Sequence, residues 1–155
     1  MPFVRLFSAS TFAREYQGEP VATHYFRAKR LPLRVEQRNS VIATETTLYH
    51  GNTFNHTVRA PPGNNVQGVL LTIEGDDPPL TQWWKDFDAF ERTYGMQRVQ
   101  TDFLPTEAGP PMPGTLYLLP RLEDYTGLDG SLEPGPMEIT DAMVEEAIRR
   151  LAQSR

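Results

Sequence analysis

The chain has 155 residues, the size of one ordinary domain, with 39% hydrophobic residues and a formal net charge of −5. It contains no cysteine, which excludes disulfide scaffolds, thiol catalysis and thiolate metal sites. No apolar run is long enough for a signal peptide or a bilayer span, so an intracellular, non-secreted protein without a membrane partner is expected.

From the N-terminus, SASTFAREYQG (8–18) predicts a short helix that starts at Ser10 and stops at Gly18. Val21, Thr23 and Tyr25 alternate with Ala22, His24 and Phe26, the pattern of a strand. Leu31, Leu33 and Val35 alternate with Pro32, Arg34 and Glu36, a second strand whose proline suits a sheet edge. SVIATETTLYH-GN-TFNHTVRA (40–60) predicts a hairpin turning at Gly51-Asn52, with the glycine supplying a positive φ. That register sets Tyr49 opposite Phe54 and Thr47 opposite His56. After the turn at 61–65, VQGVLLTIEG (66–75) is a nearly continuous apolar run, expected as a central strand.

Gly75-Asp76-Asp77-Pro78-Pro79 is a second turn. Beyond it a helix is predicted over 81–94, capped by Thr81 and stopped by Gly95. At about 100° per residue, Leu80, Trp83, Trp84, Phe87, Phe90 and Tyr94 share one face. Lys85, Asp88, Ala89 and Arg92 lie opposite, with Asp88 and Arg92 at ion-pair spacing. Such an aromatic face is expected to cover a sheet, with one tryptophan at its rim for a partner. MQRVQTDF (96–103) follows as a strand.

Residues 104–136 hold seven of the 14 prolines and five of the 11 glycines, and TLYLLPRL (115–122) is their only strand candidate. They are expected to form an extended arm. Over 141–153 a helix is predicted, capped by Thr140 and stapled by Ile139 and Val144, with Glu145–Arg149 and Glu146–Arg150 pairs along it. The organisation expected is thus a single α+β, β-rich domain. It comprises a body (1–103) built as an antiparallel sandwich or barrel-like sheet under one helix, the arm (104–136) and a C-terminal helix (137–155).

Chemistry-bearing residues are few. In the hairpin register above, His50 and His56 face opposite sides of the sheet, and no HExxH or three-histidine cluster compensates, so neither a metal nor another cofactor is expected. The knot Glu74-Asp76-Asp77 lacks the alternation of a calcium loop. Glu91 falls inside the aromatic stripe, where a carboxyl would be desolvated and its pKa raised. The basic stretch RAKRLPLRVEQR (27–38) is explained by a solvated strand face, and nucleic-acid binding is not expected of an acidic chain. Residues 1–60 carry eight Arg/Lys against four Asp/Glu (+4) and residues 61–155 seven against sixteen (−9), a dipole that suits internal pairing or steering between copies.

In outline, VLLTIEGDDPPLTQWWKDF and the hairpin before it resemble short phage virion proteins of the tail-tube, connector or capsid-decoration kind. The resemblance implies a non-enzymatic assembly subunit that docks on copies of itself or on a shell or tube partner in the virion. The residues expected to make those contacts are Trp83, Trp84, Arg27, Lys29, Arg30, Pro110, Pro111, Pro113 and Tyr125. The alternatives are a small ligand-binding barrel or an enzyme with a pocket near Glu91 or His24, and an inhibitor whose acidic half binds a basic surface.

Overall fold

The computed structural model describes residues 2–153. In chain order its elements are β1 (Phe3–Ser8), β2 (Glu15–Tyr16), β3 (Glu19–Pro20), α1 (Val21–Ala28), β4 (Arg34–Thr44), β5 (Thr46–His50), β6 (Asn55–Arg59), β7 (Asn65–Glu74), α2 (Pro79–Arg92), β8 (Gln97–Pro105), β9 (Met112–Leu118), β10 (Glu133–Pro134) and α3 (Asp141–Gln153).

Five strands close a barrel in the order β1-β7-β4-β8-β9, with the apolar run of β7 central as its composition demands. Neighbours pair antiparallel except at the seam, where β1 and β9 run parallel through Leu6 and Thr115. All five strands contribute to one inward cluster of Phe7, Val41, Ala43, Val66, Leu70, Phe103, Leu116 and Leu118. Phe7 and Phe103 stack inside it at 5.1 Å. The barrel middle is therefore a packed core and not a ligand chamber. On the outer face Leu6, Leu71, Ile73 and Tyr117 pack against Ala22 and Phe26 of α1 and Leu80 and Trp83 of α2. The α+β, strand-rich class expected from the sequence is the class observed.

Several local expectations need correction. Residues 21–28 form a helix, not a strand. Val21, Ala22 and Phe26 are buried and Tyr25 is partly covered, a spacing that fits only the helical period. Over six residues the two periods are hard to separate, and packing of Phe26 edge-on to Trp83 (5.2 Å) overrides the strand propensity of the β-branched and aromatic residues. The expected helix at 10–18 is a single 3-10 turn (Thr11–Ala13) followed by the β2–β3 hairpin, whose turn holds Gln17 and Gly18 at φ 52° and 79°. Residues 40–50 do not form one arm, because Glu45 takes φ 57° and divides them between β4 and β5.

The β5–β6 register is two residues away from the expected one: Tyr49 faces His56 and His50 faces Asn55. A shift of two preserves parity, so His50 and His56 still point to opposite faces. Phe54 leaves the ladder for the turn, where its carbonyl accepts the Gly51 N–H at 2.9 Å.

Residues 104–136 do not extend as an arm. Met112–Leu118 is a barrel strand, paired with β8 from Phe103↔Met112 to Gln97↔Leu118. The chain then returns over its own subunit, and β10 adds to β5 through Glu133↔His50 and Pro134↔Tyr49. Proline and glycine here shape turns between paired segments.

Helix α3 begins as predicted, with Thr140 Oγ1 accepting the Met143 N–H (3.3 Å) and Ile139 and Val144 both buried. Glu146 pairs with both Arg149 and Arg150, while Glu145 accepts from the Tyr16 hydroxyl (3.0 Å). Thr140→Ala is expected to cost about 1 kcal/mol in chemical denaturation, the usual worth of an N-cap. Among the described residues no helix is long and apolar enough to cross a membrane.

Candidate functional site

Helix α2 is fixed at both ends by backbone chemistry. At its start Pro79 occupies the first turn and Asp77 Oδ1 accepts both the N–H (3.2 Å) and the hydroxyl (2.5 Å) of Thr81, so Asp77 takes the capping role expected of Thr81. At its end Gly95 has φ +95°, and a Cβ there would lie 2.2 Å from the Asp124 carbonyl. Thr126 secures the same end, donating its N–H to the Tyr94 carbonyl (3.3 Å) and its hydroxyl to the Thr93 carbonyl (2.7 Å).

Of the aromatic face, Leu80, Trp83 and Tyr94 are buried, Trp84 and Phe87 are partly covered, and Phe90 is 43% exposed. Trp83 is 3% exposed and stacks on Phe87 at 5.1 Å. Rings from distant parts of the chain then close around the last turn of α2. Phe12, from the loop after β1, stacks on Phe87 at 5.9 Å, and Tyr117 of β9 meets the same ring edge-on at 5.4 Å. Phe54, from the β5–β6 turn, meets Phe90 at 6.1 Å and Tyr94 at 6.0 Å.

Glu91 shares this stretch of α2, four residues after Phe87 and three before Tyr94, and its side chain is half-buried. Among the described residues no hydrogen bond reaches its carboxylate. Burial, and then the negative charge of Asp88 one turn earlier, push its pKa up to about 7. Asp88 has the opposite surroundings. It accepts from Tyr117 Oη (3.2 Å) and Arg92 Nε (2.7 Å), with Arg98 Nε at 3.6 Å. Burial alone would raise Asp88, but these hydrogen bonds and the two guanidinium charges hold it below the ordinary value. Burial, with the Asp88 charge and hydrogen bond, in turn raises the Tyr117 phenol. Two carboxyls one helical turn apart thus have affinities for protons pushed in opposite directions, the arrangement that acid–base chemistry at neutral pH requires. Asp88→Asn is expected to move the Glu91 titration downward, read from its side-chain carboxyl carbon by NMR, because a repelling charge is removed.

A second buried polar group adjoins this wall. His56 Nε2 lies 2.9 Å from Asp129 Oδ2, with both side chains 5% exposed. Asp129 also accepts the N–H groups of Thr53 (2.9 Å) and Phe54 (3.0 Å), so it holds the turn that carries Phe54. The His56 ring is 5.5 Å from Tyr94. Sequence reasoning missed this pair because Asp129 lies in the segment expected as an arm.

The contact residues expected from the sequence are scattered. Trp83 is interior, and Trp84 lies half-buried under the Arg98 guanidinium (5.2 Å). Arg27 is exposed and paired with Glu19 (3.0 Å), while Lys29 and Arg30 end α1. Pro110 and Pro111 are exposed on the β8–β9 connection, and Pro113 pairs with Asp102 inside the ladder. The Tyr125 hydroxyl accepts from Asp129 N (2.8 Å) and donates to the Gly130 carbonyl (2.5 Å) within its own loop. His24 bonds the Tyr16 carbonyl (2.7 Å) beside Glu19 and shares no partner with Glu91. No group of three or more His, Cys, Asp or Glu able to hold a metal occurs among the described residues. An open cleft of about 590 Å³ between Ala9–Arg14 and Glu138–Asp141 is not lined by Glu91, and its Arg14 and Asp141 neutralise each other at 2.6 Å.

No family model matches the sequence, and no curated protein matches it. Solved structures do share the fold. A protein of Arabidopsis thaliana solved in solution superposes with a TM-score of 0.58 at 14% identity, over 97% of this chain and 83% of its own. A gamma-glutamyl cyclotransferase gives 0.56 at 12% identity, over 99% and 89%. An AIG2-like protein of Mus musculus gives 0.52 at 15% identity, over 88% and 97%. The likeness to phage virion proteins is thereby corrected: the strand, acidic turn and helix that suggested it belong to a fold shared with a named enzyme. The expectation of a non-enzymatic virion subunit falls with it.

Proposed function

We propose that this protein is an enzyme of the cyclotransferase type, which closes a γ-glutamyl group on its own α-amino nitrogen and releases an amine and 5-oxoproline. The observation that carries this reading is the half-buried Glu91 carboxyl on the aromatic face of α2, without a hydrogen-bond partner among the described residues and pushed by burial up to about 7. The fold shared with the gamma-glutamyl cyclotransferase supplies the reaction class.

The reaction needs one group that first removes and then returns a proton. The α-nitrogen forms a bond to the γ-carbonyl carbon, the carbon–nitrogen bond to the leaving amine breaks, and no electrons are exchanged with an oxidant. Glu91 as carboxylate takes the proton from the attacking nitrogen and as carboxylic acid hands it to the departing one. A carboxyl with a pKa near the working pH populates both forms, which an ordinary surface glutamate does not. Asp88, held as an anion by Tyr117, Arg92 and Arg98, keeps Glu91 from losing its proton too readily. The apolar rings on this face of α2 lower the polarity around the proton transfer.

The test is direct. Purified protein is incubated with γ-glutamyl amides of several amines, and 5-oxoproline is measured by mass spectrometry. Formation that depends on Glu91 supports the reading, and its absence with every amide tried removes it.

A further inference from the structure

Barrel-facing positions alternate along each strand, and on β1 and β7 two of them hold buried polar atoms without a partner among the described residues. On β1, Phe7 belongs to the inward cluster, so Arg5, two residues earlier, continues the inward face. On β7, Leu70 is inward, so Thr72 continues that face in the other direction. The two are register partners, Arg5↔Thr72. They therefore stand side by side at one end of the barrel, just beyond the Phe7–Phe103 stack that fills its middle.

Neither group is satisfied. Arg5 Nε and Thr72 Oγ1 are both buried without a hydrogen-bond partner among the described residues, and Thr72 is only 4% exposed. The Arg5 guanidinium rests over the exposed Phe3 ring at 5.0 Å, and no carboxylate of the described residues forms an ion pair with it. Glu74 is the nearest anionic position along the same face, but it is engaged by Arg34 Nη2 at 3.4 Å. A buried donor of fixed direction, a hydroxyl beside it and an uncompensated positive charge form a donor set without an acceptor. Buried polar groups in folded proteins are paired, so what this pair lacks is an oxygen-rich anion.

We infer that the Arg5–Thr72 end of the barrel is a binding site for a small oxyanion, a carboxylate or a phosphate group, separate from the Glu91 site. The guanidinium presents parallel N–H groups to two anion oxygens, and the Thr72 hydroxyl donates to one of them. Phe3 covers the guanidinium from the solvent side.

The experiment follows the Arg5 Nε–H and Thr72 amide resonances of the full chain during titration with sodium phosphate and, separately, with sodium acetate. Ionic strength is held constant with sodium chloride. Saturable shifts confined to these residues and their neighbours are expected with at least one of the two anions, and the better anion identifies the preferred geometry. In Arg5→Gln the affinity is expected to fall at least tenfold, and in Thr72→Val severalfold, with the Val41 and Leu70 amides unmoved as evidence of an intact barrel. If Arg5→Gln does not fold, Arg5→Lys keeps the charge without the fork and is expected to weaken binding in the same assay. Linear drift without saturation for both anions, or equal affinity in the folded variants, would overturn the inference.

Discussion

Replacing Glu91 with Gln is expected to lower kcat/KM for 5-oxoproline formation by about two to four orders of magnitude, the usual contribution of a general acid–base group. The same change is expected to stabilise the protein at alkaline pH. Glu91 has an ordinary pKa of 4.5 and titrates at about 7 in the fold. Between those values the folded chain keeps a proton that the unfolded chain has lost, so stability falls as pH rises through this window and stays lower above it. Gln carries no such titration. At about 1.4 kcal/mol per tenfold difference in proton affinity, and allowing for partial screening, the variant is expected to gain about 2 kcal/mol at pH 8. It is expected to gain almost nothing at pH 4, where both states are protonated. Thermal unfolding at the two pH values checks this. A loss of activity with a gain of stability is the mark of a group kept for chemistry and not for packing. Unchanged turnover, or a variant no more stable at pH 8 than at pH 4, would count against Glu91 as the acid–base residue.

The part of this site that lies on α2 was legible because its signals are local. Leu80, Trp83, Phe87 and Tyr94 recur at helical spacing, Gly95 ends the pattern, and Glu91 interrupts it with a charge. The rest of the wall was not legible, because Phe12 and Phe54 reach α2 from turns 75 and 36 residues upstream of Phe87 and Phe90. Gly51 illustrates the same limit. It was expected to supply a positive φ, yet it is absent from the positive-φ glycines, and a Cβ there would lie 2.3 Å from Asp129 Oδ2. Its reason is a close approach by a residue 78 positions later, which no local rule contains. For VATHYFRA the failure was different in kind: a short segment of β-branched and aromatic residues took the helical conformation because only the helical period puts Val21, Ala22, Tyr25 and Phe26 on one side, with Phe26 edge-on to Trp83.

Asp129→Ala is expected to cost about 3–5 kcal/mol, a large share of the 5–15 kcal/mol by which a domain of this size is stable. The side chain is nearly inaccessible and serves three donors at once: the N–H groups of Thr53 and Phe54 and Nε2 of His56. An ionised carboxylate only accepts, so each of these donors loses its partner in the variant, and His56 is left in an apolar setting between Phe54, Tyr94 and Tyr125. The loss is not confined to the pair. Asp129 also anchors its own loop, because its carbonyl accepts the Asn52 N–H (2.7 Å) and its N–H meets the Tyr125 hydroxyl (2.8 Å). Once the clamp is cut, the turn carrying Phe54 is free to leave Phe90 and Tyr94, so the wall around Glu91 opens and kcat/KM falls together with stability. Gly51→Ala, which drives a methyl group into the same carboxylate from the other side, is expected to act in the same direction. Urea unfolding gives the magnitude, and amide exchange at Thr53 and Phe54 gives the location. A midpoint within error of the parent protein, with those amides still protected, would show that the turn is held by the rings alone and that Asp129 is not its clamp.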